Sequence, residues 1–407
     1  MYFPFFKLMP GGKRSVVQPQ TIYSEFPYDN TGNFARQGKF YLTDRVESGN
    51  MVKSIFLAGG SIMKVLMIGG TGTISMAITR LLCQSGWEVY LLNRGSRREE
   101  MPASVHWIQA DMNNEEDVQQ AIRGLTFDCV CQFIGFQPEQ VARDIRLFAG
   151  RTKQYLFTSS ASAYHKPVMD YRITEGTALA NPYWQYSRDK IACEEVLMKA
   201  YRESGFPVTI IRPSHTYDNR KVPLGVHGKN GSFQVLKRMM EGKPVIIHGD
   251  GTSLWTMTHN TDFARGYVGL MGNPHAIGEA FQITNDETLT WNQIYGTIAN
   301  CLGVELKPYY VSSHFLAATQ KYDLLGSLVG DKANSVVFDN RKLKAAVPDF
   351  RPQVRFEQGV GEAIANVLAH PELQQEDPEF DQWCDRVIEA QEQALKRIFQ
   401  EGRTEEC

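Results

Sequence analysis

The stretch KVLMIGGTGTISMAI, residues 64–78, restricts the fold more than any other part of this chain. A short apolar run leads straight into a glycine-rich turn, and a helical pattern follows at once. The spacing is Gly69-x-x-Gly72-x-x-Ser75. A turn this tight needs residues that accept unusual backbone angles and that let a ligand approach the main chain. The helix that follows offers free N–H groups and the positive end of its dipole, which together suit a pyrophosphate. Gly69, Thr71, Gly72, Thr73 and Ile74 are the expected contacts.

The pattern then alternates. EVYLLNRG, VHWIQADM, FDCVCQFI and KQYLFTSS read as near-continuous apolar strands, separated by helical segments such as SMAITRLLCQSG and NEEDVQQAIRG. Strands of this kind are buried on both faces, so the expected fold is α/β, a doubly wound parallel sheet of the Rossmann type. PVTIIRP supplies a further strand, and beyond about residue 213 the elements become shorter and less regular, as expected of a smaller C-terminal substrate lobe. The expected divisions are an N-terminal extension over 1–62, the dinucleotide-binding domain over 63–213, a lobe interleaved with late sheet elements over 214–375, and a C-terminal amphipathic helix over 376–407. Residues 1–62 show no sustained periodicity. Ala58-Gly59-Gly60 is encodable by a purine-rich ribosome-binding sequence just ahead of Met63, which makes Met63 a candidate start, testable by mass spectrometry of the native gene product.

Bulk properties exclude several classes. With 43 basic and 45 acidic residues, net charge −2, no overall field draws the chain to nucleic acid or an anionic membrane. No run of eighteen apolar residues occurs, and the N-terminus orders its apolar and basic parts wrongly for a secretory signal. The seven cysteines are scattered, and the close pair Cys129 and Cys131 falls on an apparent buried strand, so no metal site and a reducing, cytoplasmic location are expected. The partner class is a small-molecule substrate.

The second strand ends in LLNRGSRRE. Where an acidic residue would bind ribose hydroxyls, Asn93, Arg94, Arg97 and Arg98 stand instead, which favours a 2′-phosphate and hence NADP over NAD. The bland alternative is a solvated basic loop. Asp111, beside Met112, either accepts from an adenine amino group or caps the next helix. In YWQYSRDK, Tyr186 and Lys190 stand one turn apart on one helix face. Alone, that pair is weak.

Together, GGTGTIS, ADM, FTSSASAYHKP, YWQYSRDK, IRPSHTYD and HGDGTSLWTMTHNTDFARG make residues from about 63 to 370 resemble the extended short-chain dehydrogenase/reductases, the NAD(P)-dependent epimerase/dehydratase family. The resemblance implies Ser160 as the catalytic hydroxyl, with Ser159 and Ser162 as rivals, and Tyr186 with Lys190 as the proton-transfer pair. It implies Phe133 and Pro213 near the cofactor, with Arg212 beside Pro213, and Ser162, His215, Tyr217 and Trp255 toward the substrate. For Tyr186 to act as a base near neutrality its pKa must fall by about three from a reference near 10, a fall expected from Lys190 and the nicotinamide charge. An alcohol and a ketone on a sugar, sugar nucleotide or related metabolite would then interconvert. Two departures bear on substrate: Ala161-Ser162 replaces the Asp-Glu of 4,6-dehydratases, and Trp255 stands where nucleotide-sugar enzymes keep a pyrophosphate-binding arginine. A homodimer through helices flanking the sheet is a family habit. The alternative is a non-catalytic cofactor sensor or RNA-binding relative.

Overall fold

The computed structural model describes residues 62–94 and 101–404, together with four strands nearer the N-terminus. The chain divides into two units, Met1–Met63 and Lys64–Cys407. The first unit holds two antiparallel pairs, Phe6–Leu8 with Arg14–Val16 and Phe40–Glu47 with Asn50–Leu57. Sequence reading places no regular element here. The two longer strands nevertheless pair along their whole eight-residue length.

The second unit is built on a seven-stranded sheet: β1 Lys64–Ile68, β2 Glu88–Asn93, β3 His106–Gln109, β4 Phe127–Gln132, β5 Thr152–Thr158, β6 Val208–Pro213 and β7 Ala280–Ile283. Their spatial order is β3-β2-β1-β4-β5-β6-β7 and every pairing is parallel. The doubly wound sheet expected from alternation is therefore present. Burial explains the apolar runs: Val65, Leu66, Met67 and Ile68 are all sealed from water, each side chain contributing roughly 1.5–3 kcal/mol relative to exposure. The order of strands reverses between β1 and β4, and in sheets of this kind ligands bind at that switch, outside the carboxyl ends of the strands.

Helices α1 Ser75–Gln84, α2 Glu115–Ala121, α3 Pro138–Phe148 and α4 Gln185–Ser204 connect the strands. α3 packs on α4, and α1 packs on α6, residues Asn260–Leu270, which follows α5, Phe233–Met240. Because β7 returns to the sheet at 280–283, the lobe is not one continuous segment. Its own core gathers Trp255, Trp291, Tyr295, Phe356 and Trp383, closed by α7 Trp291–Leu302, α8 Phe356–Ala369 and α9 Pro378–Thr404. α9 is pinned to α5 by Arg238, almost fully buried, which bonds both Asp381 at 2.7 Å and Asp385 at 2.8 Å. Among the described residues no helix is long and apolar enough to cross a membrane, and no three His, Cys, Asp or Glu side chains form a group that could hold a metal.

Candidate active site

The glycine turn does its work with three different residues. Gly69 has φ of +79°, a conformation that penalises any side chain. At Gly70, which sequence reading passed over, a Cβ would run into Leu91 and come within 2.9 Å of Met67, so it is this glycine that lets α1 pack on the strands. Ser75 occupies the place of a third glycine and closes the turn itself: its Oγ donates to the Gly69 carbonyl at 2.8 Å and accepts from the Gly72 amide at 2.9 Å. The amides of Thr73, Ile74 and Ser75 have no hydrogen-bond partner among the described residues. Such orphaned donors at the start of a ten-residue helix fit a pyrophosphate.

The next contacts expected around the cofactor are mixed. Asn93 ends β2, half-buried, and Arg94 follows it, exposed. Arg97 and Arg98 lie outside the described residues. Asp111 does not cap α2: its carboxylate accepts from the Asn113 amide at 3.0 Å, and the cap is Asn114, which accepts from Asp117. Met112 is buried and its carbonyl accepts from the equally buried Arg143. Phe133 leaves β4 with its ring 5.4 Å from that of Tyr267.

Tyr186 lies in the first turn of α4 and Lys190 one turn on, facing the ends of β4 and β5. Lys190 is sealed from water and donates to the carbonyls of Gly135 at 2.7 Å and Thr158 at 2.8 Å. Burial holds its pKa down at about 8. Its Nζ is 5.9 Å from the centre of the Tyr186 ring. The expected fall at Tyr186 calls on Lys190 and the nicotinamide charge together; among the protein's own groups the phenol is pushed up. Burial raises it, a hydrogen bond with Ser160 opposes that, and the charge of Asp331 adds to it. The ammonium that was to lower it bonds two backbone carbonyls instead. Among the three serines, Ser159 turns away to Glu194 at 2.5 Å. Ser160 and Ser162 are linked at 2.9 Å, and Ser187 donates to Ser162 at 2.7 Å.

These groups open on a cavity of about 290 Å³ lined by Ser160, Ser162, Tyr186, Pro213, His215 and Trp255, with Ile74 at the turn side. Alternation along β6 sends Arg212 the other way, into a buried two-pronged pair with Glu194 at 3.0 and 2.6 Å. Tyr217 also departs from expectation. It borders a neighbouring cavity of about 190 Å³, but its ring packs on His259 and Phe356 and its buried hydroxyl has no hydrogen-bond partner among the described residues. Trp255 packs on Trp291 with ring centres 5.9 Å apart.

A model of the NAD dependent epimerase/dehydratase family matches residues 65–284, more than half the chain and the whole span from β1 to β7. The chain belongs to that family. Similar proteins include 2'-dehydrokanamycin reductase of Streptomyces kanamyceticus, 23% identical over 64% of this chain and 76% of that one. The chloroplast stem-loop binding protein of 41 kDa b of Arabidopsis thaliana is 23% identical over 61% and 66%. Among solved structures, the epimerase Mth375 of Methanothermobacter thermautotrophicus aligns with a TM-score of 0.64 at 17% identity, covering 77% of this chain and 94% of that one.

Within a family fold known for its dinucleotide turn, the residues that sequence reading missed lie on the opposite wall. Lys166, Trp184, Asp331 and Lys332 complete the cavity. Lys166 lies within FTSSASAYHKP, but nothing local marks its side chain as inward-pointing. Asp331 and Lys332 arrive on a π-helical segment, Leu325–Lys332, held over the start of α4. Asn181, in the loop before α4, ties that segment to the serine turn by donating to the Gly330 carbonyl at 2.7 Å and the Ser162 carbonyl at 2.9 Å. No signal in the sequence could pair residues this far apart.

Proposed function

We propose that the protein interconverts a secondary alcohol and a ketone on a sugar or related polyhydroxylated metabolite, by reduction or epimerisation, with Ser160, Tyr186 and Lys190 as its catalytic residues. The observation that carries this reading is that all three converge at one site: Ser160 and Tyr186 line one cavity and Lys190 stands behind the phenol, within 6 Å of its ring. Ser160 would hold the reacting oxygen and Tyr186 would give or take its proton. Lys190, fixed by two carbonyls, would keep a positive charge behind the phenol and so work against the upward push of burial. Bound at the glycine turn, a nicotinamide dinucleotide supplies or accepts the hydride. Arg94 favours NADP through a 2′-phosphate.

Two features narrow the reaction. Ala161-Ser162 supplies no carboxylate pair beside the hydroxyl, which disfavours 4,6-dehydration. A buried indole at 255 cannot neutralise a diphosphate, although it offers an apolar face to a sugar ring, which favours a substrate without a nucleotide. A relative named for reducing 2'-dehydrokanamycin is consistent with that choice. The relative named for stem-loop binding keeps a second reading open, a non-catalytic RNA or cofactor binder. Purified protein with NADPH and a panel of ketosugars separates them: turnover lost in Tyr186→Phe supports the enzyme, and cofactor binding with no turnover on any sugar supports the binder.

A further inference from the structure

The cavity wall facing Tyr186 carries a charge that the protein leaves unanswered. Lys166 is 2% exposed, and among the described residues its ammonium makes no hydrogen bond and no ion pair within the usual 4 Å. Its backbone is fixed, since its amide donates to the Ala180 carbonyl at 2.8 Å, so the side chain is not held inward by accident of a loose loop. An isolated buried ammonium costs several kcal/mol unless something pairs with it. Nearby, Lys332 pairs with Asp331 at 3.6 Å and extends to the Ser327 carbonyl at 3.3 Å. Lys332 and Asp331 therefore balance each other, and Lys166 is left as one uncompensated positive charge, toward which Asp331 acts only at longer range. The imidazole of His215 is kept neutral by burial, with its pKa at about 3, and so adds no charge of its own.

Given the reading of this cavity as the substrate site, we infer that Lys166 and Lys332 recognise a carboxylate on the substrate, making the preferred substrate a single-ring, hydroxylated acid. Three properties of the cavity lead to this class. One uncompensated positive charge matches a monoanion, whereas a phosphate dianion would leave an excess negative charge at the site. A volume of about 290 Å³ holds one ring and lies at the low end of small-molecule pockets. Trp184, Trp255, Val336 and Phe338 add apolar surfaces against which the face of a sugar ring packs. A cationic aminosugar would meet Lys166 and Lys332 with like charge.

The test reads binding by the full-length protein through tryptophan fluorescence, since Trp184 and Trp255 line the cavity. D-Glucuronate, D-glucose and glucose 6-phosphate are the probes, each titrated with and without NADP. Glucuronate is expected to bind about ten- to a hundredfold more tightly than glucose, the worth of one charge-assisted contact. Lys166→Met should erase that preference and leave glucose affinity unchanged. Equal affinity for glucuronate and glucose, no binding of glucuronate, or a preference undiminished in Lys166→Met would each overturn the inference. Tighter binding of glucose 6-phosphate than of glucuronate would overturn the carboxylate and assign the site to a phosphate. Should Lys166→Met fail to fold, Lys332→Gln carries the same comparison. Failure of the enzymatic reading is distinguishable: selective glucuronate binding with no turnover of any keto acid would remove the catalysis and leave the anion site standing, while turnover of neutral ketosugars without acid preference would remove the anion site alone.

Discussion

Lys190 and Lys166 are both all but sealed from water, yet the fold treats them in opposite ways. Lys190 is given two carbonyl acceptors, from the loop after β4 and the end of β5. Lys166 is given none among the described residues. Arg212 makes a third case, a buried cation closed by a carboxylate, Glu194, from the back of α4. The difference separates what the scaffold completes by itself from what it leaves for a ligand. A buried charge satisfied within the protein is a fixed part, and one left unsatisfied is a vacancy with a sign.

Substitutions sharpen or break this contrast. The largest effect belongs to the chemistry beside Lys190: Tyr186→Phe should lower turnover by about 10²–10⁴-fold while circular dichroism and Tm stay near wild type, and a variant that keeps its rate would end the role given to the phenol. Next is the completed pair. Arg212→Met strands Glu194 without a counter-charge and should cost about 3–5 kcal/mol in denaturant unfolding, with NADP affinity retained in whatever folds. A cost below about 1 kcal/mol would show that the pair is not the lock it resembles.

The Lys190 ammonium should reveal itself through pH. Its native pKa of about 8 lies below the ordinary lysine value of 10.5, so the folded protein loses this proton first. Between those two values the unfolded state binds more protons, and stability attributable to Lys190 rises with pH across that window. Wild type should therefore gain on Lys190→Met as pH is raised from 8 to 10, while turnover falls as the charge behind Tyr186 is lost. A flat difference between the two stability curves would contradict the depressed value. Lys166→Met, in contrast, should leave stability unchanged or raise it by about 1 kcal/mol, because it removes a desolvated charge that the protein does not pair. A loss of several kcal/mol would mean that Lys166 has a structural partner after all. The smallest effect is at the rim: Arg94→Gln should weaken NADPH by roughly five- to tenfold and leave NADH unaffected, as suits an exposed cation.

The parts of this site that were legible in sequence are those where neighbours in space are also neighbours in the chain. The glycine turn follows β1 directly, and Tyr186 and Lys190 are one helical turn apart. Even there, local reading chose between equals badly. It passed over Gly70, whose need is a contact with Leu91 some twenty residues away, and it could not see that Asn114, not Asp111, caps α2. The direction of Arg212, away from the cavity that Pro213 lines, is set by the strand's alternation together with a carboxylate waiting on α4.

What the sequence determined by itself is therefore the cofactor half: alternating buried strands and helices, a turn with free amides, and a phenol and an amine stacked on one helix face, all consequences of backbone periodicity over a few residues. Tertiary structure alone decided the far wall of the cavity. Lys166, Trp184, Asp331 and Lys332 meet across the cavity only because the lobe is threaded back through the sheet at β7 and the 325–332 segment is tied by Asn181 to the turn that carries Ser162. Whether a buried charge is satisfied depends on every group that surrounds it, and such a balance has no local period to read.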